Sequence, residues 1–204
     1  MKCVIFGSAP INSYDFINKY LDKSDFIICA DGGIAHTEKL GITPQLIIGD
    51  FDSYSGKLPS DNVMRYPSEK DDTDMALCIE YAIKNGYEEI IIAGGLGGRI
   101  DHTLANLSLL AKYSDKSIML IDEKTEITAI SDFCSLEKNE KKYISFVSFT
   151  EKTEGVTYKG LKYPLSDATL YSKDAQFSIS NEIIEKKAEI SLKSGILLCI
   201  RTED

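Results

Sequence analysis

Aspartates recur in this chain at the ends of apolar runs, where a carboxylate is costly to bury without a cation or a proton. The segment Ile47-Ile48-Gly49-Asp50-Phe51-Asp52-Ser53 is the plainest case. Two residues apart in an extended chain, Asp50 and Asp52 point to the same side, roughly 6–7 Å from each other. At an effective dielectric of about 20 they repel by about 2–3 kcal/mol. Gly49 leaves room just before them for a ligand or a sharp backbone turn. Three more stretches share this character: Asp31-Gly32-Gly33, Lys70-Asp71-Asp72-Thr73-Asp74, and Gly94-Gly95-Leu96-Gly97-Gly98-Arg99, which leads to Asp101 and His102. Each also has an ordinary structural account. The segment from Asp50 to Ser53 suits a turn. Asp71, Asp72 and Asp101 suit helix N-caps. The glycine run matches neither the Walker pattern nor Gly-x-Gly-x-x-Gly. His36 is expected on a helix surface, and His102 just inside a helix start.

The elements that carry these stretches decide between the two accounts. Cys3 to Gly7 reads as a short apolar strand broken by Ser8-Ala9-Pro10, and residues 12–21 read as a helix with Phe16, Ile17 and Tyr20 on one face. Residues 26–30 form the next strand, and a helix through Leu40 ends at Gly41, well placed as its cap. Strands follow over 45–50 and, more weakly, 62–66. A helix places Met75, Ile79, Ala82 and Ile83 on one face and stops at Asn85-Gly86. Residues 89–93 are a strand, 102–113 a helix with Leu104, Leu107 and Ala111 on one side, and 117–121 a strand. Apolar, non-alternating strands between helices predict a mostly parallel sheet with helices on both faces. From Thr125 the pattern becomes short and alternating, with Tyr143, Ser145 and Val147, Phe177 and Ile179, Ile190 and Leu192, and Ile196, Leu198 and Ile200 in step. This predicts a small antiparallel β-sandwich or barrel. The expected organisation is an α/β domain over 1–123 and a β-sandwich domain over 124–204.

Ligands of a parallel sheet bind at the carboxyl ends of its strands. All four acidic or glycine-rich stretches lie after a strand or between a strand and a helix, so all four belong to that one edge. The glycine run ends at a helix N-terminus, whose N–H groups favour phosphate, and carries Arg99, a bidentate phosphate partner. Asp31, Asp50, Asp52, Asp71, Asp72, Asp74 and Asp101 there face only Lys70 and Arg99. Such a cluster repels a polyphosphate unless a divalent cation intervenes, and all-carboxylate donors select hard ions, Mg²⁺ above all when phosphates complete the shell. The chemistry expected is Mg²⁺-dependent transfer from a nucleotide polyphosphate, with a spare aspartate accepting the proton of an attacking hydroxyl.

The composition sets limits on this. The 204 residues are 43% hydrophobic and 27% charged, with a formal net charge of −9. That balance argues against a general nucleic-acid or anionic-membrane binder. Nothing in it resembles a secretory signal or a spanning segment. The five cysteines (Cys3, Cys29, Cys78, Cys134, Cys199) form no Cys-x-x-Cys. They read as small buried hydrophobes of a cytoplasmic protein.

The ordered set Asp31-Gly32-Gly33, Gly49-Asp50-Phe51-Asp52-Ser53, Lys70-Asp71-x-Thr73-Asp74 and Gly94-Gly95-x-Gly97-Gly98-Arg99-x-Asp101-His102-x-Leu104-Ala105-Asn106-Leu107 closely resembles thiamine pyrophosphokinase. The resemblance continues through Gly160-Leu161-Lys162-Tyr163-Pro164-Leu165, Ser180-Asn181-Glu182 and Gly195-Ile196-Leu197-Leu198. It implies an N-terminal nucleotide domain, a C-terminal β-sandwich, and a homodimer with thiamine bound where subunits meet. The implied reaction moves the β,γ-pyrophosphoryl group of ATP to the thiamine hydroxyl, giving thiamine diphosphate and AMP. By motif, Asp50, Asp52 and Asp74 would hold Mg²⁺. Lys70, Thr73, Arg99, Asp101 and His102 would surround the nucleotide. Asp31 and Asp71 would lie near the reacting groups, and Ser180 and Asn181 near thiamine. Two positions depart from the family pattern. Gln45 stands where an aspartate often follows the proline, and the chain has no tryptophan, so an aromatic packed on thiamine would be Tyr or Phe. A pyrophosphokinase for another hydroxymethyl heterocycle, such as a pterin, or a non-catalytic nucleotide-binding protein would share much of this edge.

Overall fold

The computed structural model describes residues 1–50, 62–66 and 72–203. The chain divides into two compact units, Met1–Leu109 with Lys116–Glu123 and Leu110–Asp115 with Lys124–Asp204.

The first unit carries strands β1 (Lys2–Phe6), β2 (Phe26–Ala30), β3 (Leu46–Gly49), β4 (Val63–Arg65), β5 (Glu89–Ala93) and β6 (Ser117–Ile121). They lie in the order β4-β3-β2-β1-β5-β6, and every pairing is parallel. Helices α1 (Ile34–Leu40), α2 (Asp74–Lys84) and α3 (Ile100–Lys112) follow strands, as do 3-10 turns at Asp15–Lys19 and Asp31–Gly33. Alternation along the strands sorts the side chains. Val4, Phe6, Ile27, Cys29, Ile47 and Ile91 form one core with Ile17 and with Ile34 of α1. Residues of the other parity meet α2, where Phe26 stacks on Tyr81 at 6.2 Å between ring centroids. Helices therefore cover both faces, which is why these strands are apolar without alternation. Thr73 opens α2, its Oγ1 accepting from Ala76 N at 3.2 Å, and Gly41 closes α1 at φ 67°.

Two helix expectations change. The segment 12–21 forms only the 3-10 turn Asp15–Lys19. The N–H groups of Asn12 and Ser13 just before it donate instead to the Glu123 carboxylate, at 2.9 and 2.6 Å. Helix α3 begins at Ile100, and it is Asn106, Leu110 and Ala111 that turn inward, whereas Leu104 is 56% exposed. The buried Asn106 amide, which donates to Gly95 O at 2.8 Å, sets that rotation.

The second unit contains β7 (Thr125–Ile130), β8 (Phe133–Glu137), β9 (Tyr143–Ser148), β10 (Lys152–Lys159), β11 (Leu165–Tyr171), β12 (Lys187–Ser191) and β13 (Leu197–Thr202). Strand β13 lies between β7 and β9, antiparallel to both. The other layer runs β11-β10-β12-β8, also antiparallel. Ile130, Ile144, Phe146, Leu197 and Cys199 from the first layer pack on Val156, Tyr158, Ala188 and Ile190 from the second. The Phe146 and Tyr158 rings stack at 4.4 Å. This is the expected antiparallel sandwich, but with its faces partly exchanged. In β9 the buried residues are Ile144, Phe146 and Ser148, not Tyr143, Ser145 and Val147. In β13 Leu197 and Cys199 enter the sandwich core rather than Leu198 and Ile200. Both parities of these strands carry apolar residues, so alternation alone does not name the inner face. Phe177 and Ile179 are not in a strand and are 77% and 53% exposed.

Cys3, Cys29, Cys78 and Cys199 are buried and Cys134 half-buried. Burial pushes the thiols of Cys3, Cys29 and Cys199 up to about 12. Since the thiolate is the reactive form, an aromatic disulfide reagent at neutral pH should modify at most Cys134 in the native protein and all five thiols in denaturant. Rapid native-state modification of two or more would contradict this core.

Candidate active site

At the carboxyl edge of the parallel sheet a cleft of about 540 Å³ opens, a size that suits a small-molecule ligand. Its wall is made by Gly7 to Pro10 after β1, Asp31 after β2, Asp50 after β3, Thr73 to Met75 at the start of α2, the glycine-rich loop with Arg99 after β5, and His102, Ala105 and Asn106 on α3. Four strands thus deliver their following residues to one space, as a parallel sheet dictates.

Close backbone contacts place the carboxylates. A Cβ on Gly33 would sit 1.9 Å from Phe6 O, so only glycine lets the turn after β2 lie against the end of β1. A Cβ on Gly49 would meet Asp31 Cα at 3.0 Å and Asp31 Cβ at 3.1 Å. The space before Asp50 that the sequence leaves for a ligand or a turn is therefore filled by Asp31 itself. Asp31 adopts φ 44°, a left-handed conformation that Asp tolerates better than most residues and that concentrates at functional sites. The loop after β5 turns through Gly97 at φ 81° and Gly98 at φ 64° and enters α3 at Ile100. The N–H groups of that first turn favour an anion.

Asp31, Asp50, Thr73, Asp74, Arg99 and His102 line this cleft together. Asp101 joins them through Arg99, whose Nε and Nη2 donate to its two carboxylate oxygens at 3.1 and 2.5 Å. That bidentate hydrogen bond holds the exposed Asp101 carboxyl down at about 2 and raises the guanidinium further. The Arg99 fork is thus oriented before any ligand arrives, and the pair is exposed enough to exchange partners. Asp72 is exposed, and the cap of α2 is Thr73 rather than an aspartate. Asp52, Lys70 and Asp71 lie outside the described residues. Among the described residues no group of three or more His, Cys, Asp or Glu side chains is arranged to hold a metal ion. Asp50 and Asp74 nonetheless share the cleft wall, and their all-oxygen donors fit a hard divalent cation.

Two features of the site escape the motif reading. Ser8-Ala9-Pro10 reads as a strand breaker, yet it forms a wall of the cleft. The edge rule itself could have found it, because it too follows a strand. His36, expected on a helix surface, is only 6% exposed. Its Nδ1 lies 2.7 Å from the Tyr14 hydroxyl and its Nε2 3.0 Å from Ala9 O.

In the second unit, Asn181 is buried and its side chain is occupied by backbone groups. Its amide donates to Tyr163 O at 2.8 Å, and its oxygen accepts from Tyr163 N at 3.0 Å and Glu182 N at 2.9 Å. It fixes the turn that presents the exposed Tyr163 ring. Ser180 is exposed, at φ 57°, with its N–H on Ser145 Oγ at 2.9 Å.

Gly49→Ala should force Asp31 to shift by a few tenths of an ångström. The overpacking should cost about 1–3 kcal/mol in urea unfolding and lower turnover, whereas unchanged stability and turnover would mean that the contact is slack. Carboxyl carbon NMR should show Asp101 ionised above its ordinary value of 3.8 and protonating only as the pH falls through about 2. In Arg99→Ala the midpoint should rise towards 3.8, and an unmoved midpoint would remove Arg99 as the cause.

Residues 17–121 match the family described as thiamin pyrophosphokinase, catalytic domain, and residues 133–197 match thiamin pyrophosphokinase, vitamin B1 binding domain. The chain is 34% identical to thiamine pyrophosphokinase of Bacillus subtilis (strain 168), over all of both chains. It is 24% identical to thiamin pyrophosphokinase 1 of Caenorhabditis elegans, over 99% of this chain and 89% of the other. Among solved structures, thiamine pyrophosphokinase from Bacillus subtilis superposes with a TM-score of 0.90 at 32% identity, covering all of both chains. Thiamin pyrophosphokinase from Geobacillus thermodenitrificans superposes at 0.89 and 28%, covering 100% of this chain and 98% of the other. With matches to both halves and full-length similarity, the chain belongs to the thiamin pyrophosphokinase family.

Proposed function

We propose that this chain transfers the β,γ-pyrophosphoryl group of ATP to the hydroxyl of thiamine, giving thiamine diphosphate and AMP. The observation that carries the reading is the single cleft into which Asp31, Asp50, Asp74 and Arg99 open beside a glycine-rich helix entry, in a chain of this family. The loop amides and Arg99 bind and orient the phosphates. Asp50 and Asp74, with Asp52, hold Mg²⁺, which supplies charge neutralisation on the transferred group. Thr73, Asp101, His102 and Lys70 surround the nucleotide, and Asp31 and Asp71 lie near the reacting groups. The thiamine hydroxyl oxygen bonds to the β-phosphorus, the bond from that phosphorus to the α-phosphate oxygen breaks, AMP leaves, and the hydroxyl proton passes to a cleft carboxylate.

Residues 1–123 serve in this reading as the nucleotide and Mg²⁺ domain. Residues 124–204 contribute to thiamine binding and to a homodimer. Ser180 lies near thiamine, and Asn181 acts there by holding the Tyr163 turn. No helix among the described residues is long and apolar enough to cross a membrane. The compartment we propose, from cysteines that read as free and mostly buried, is the cytoplasm.

Phosphorus NMR of a reaction with ATP, Mg²⁺ and thiamine should show AMP and thiamine diphosphate in equal amounts. ADP with thiamine monophosphate would overturn the pyrophosphoryl assignment, and no reaction with thiamine would overturn the acceptor.

A further inference from the structure

His36 sits at the third position of α1, and its placement follows from the close approach of Gly33 to Phe6 O, which lays the start of α1 over the end of β1. From there the imidazole spans two segments that are distant in sequence. A carbonyl oxygen only accepts, so the 3.0 Å contact of Nε2 with Ala9 O requires an Nε2–H donor. Burial lowers the imidazole below its ordinary value, which keeps it neutral and leaves Nδ1 to accept from the Tyr14 hydroxyl at 2.7 Å. The tautomer is thereby fixed, and both ring nitrogens are occupied. The ring is also not part of the cleft wall, so it does not touch a ligand there.

Its effect is on Ala9. That residue is held on both sides, its N–H donating to Gly94 O at 2.9 Å and its carbonyl accepting from His36. Pro10, next along, packs against the position of Gly98, with its Cδ 3.2 Å from where a Cβ would stand. One imidazole thus ties the β1 loop to α1 while the N–H of the same residue ties it to the glycine-rich loop after β5. We propose that His36 is a positioning residue for the nucleotide: through Ala9 it sets the spacing between the Ser8-Ala9-Pro10 wall and the Gly94–Arg99 wall of the cleft. The proposal rests on the assignment of this cleft to the nucleotide.

The test is ADP binding by titration calorimetry, together with KM values for ATP and thiamine and a melting temperature, on the unmutated protein, His36→Ala, His36→Gln and Tyr14→Phe. Losing one such hydrogen bond, expressed at the cleft, should weaken ADP binding in His36→Ala by about 10-fold. KM for ATP should rise in parallel, with KM for thiamine unchanged. His36→Gln, which keeps one donor and one acceptor, should recover ADP binding to within about 3-fold. Tyr14→Phe, which keeps the ring but frees Nδ1, should weaken it by roughly 3-fold. Should His36→Ala fail to fold, the Gln and Phe variants decide.

A purely structural histidine would lower the melting temperature and the active fraction while leaving ADP affinity and both KM values unchanged, and that result overturns the proposal. So do equal rises in both KM values, a folded Gln variant with no recovery, or a Phe variant that binds ADP as tightly as the unmutated protein. If the unmutated protein binds no ADP, the cleft assignment falls and this proposal with it. If it binds normally and His36→Ala does too, only the role of His36 is lost.

Discussion

Backbone-to-backbone proximity at the carboxyl edge of the parallel sheet is the constraint on which the rest depends. The ends of β1, β2, β3 and β5 approach more closely there than side chains would permit. Gly33 lies on Phe6 O, Gly7 lies on Gly94, and Gly49 lies on Asp31. Even one methyl group at Gly7 or Gly94 would fall about 2.5 Å from the carbonyl oxygen of the other. Protein interiors do not absorb such overlaps without moving whole segments. These glycines determine how near the carboxylates of adjacent strands stand to one another. They also determine where α1 starts and therefore where its histidine reaches.

That proximity concentrates charge of one sign. Asp31, Asp50 and Asp74 share one cleft, while Arg99 is already engaged with Asp101. The Arg99–Asp101 pair contributes no net positive charge to the cleft and is oriented rather than strongly bound. An anionic substrate arriving there gains from the loop amides and from a cation, more than from a basic surface. In the proposed reaction a net charge of −9 is then compatible with a polyphosphate substrate, because a divalent cation held by the cleft carboxylates would offset the repulsion.

The sequence was most legible where burial is one-signed. Strands β1, β2, β5 and β6 are apolar on both faces, so their type follows from composition, and the helices between them imply parallel pairing. The acidic ends of β2 and β3 were legible because carboxylates beside apolar runs need a reason. Legibility failed where two faces carry similar residues. In β9, Tyr143 and Val147 look as apolar as Ile144 and Phe146, and only the packing partner Tyr158 separates them. Helical spacing puts Leu104 on the inner face, whereas the hydrogen bond from Asn106 to Gly95 turns it outward. His36 was beyond reach for a different reason: its partners, Ala9 and Tyr14, are 27 and 22 residues away in sequence. The roles given to Asp52, Lys70 and Asp71 rest on motif alone.

The strand order has a consequence for the making of the chain. Of the parallel strands β1 is synthesised before the others and lies inside the sheet, but of its two neighbours β5 ends at Ala93. Between Phe6 and Ala93 the ribosome adds 87 residues, which at ordinary elongation rates takes roughly 4–17 s. Even after β2 (Phe26–Ala30) is made and can pair with one side of β1, the other side stays a raw edge of unpaired amides and carbonyls until β5, the kind of edge that recruits other strands. The strand that closes this edge also brings Gly94 to Gly7, so its pairing shields β1 and joins two walls of the cleft in the same late event.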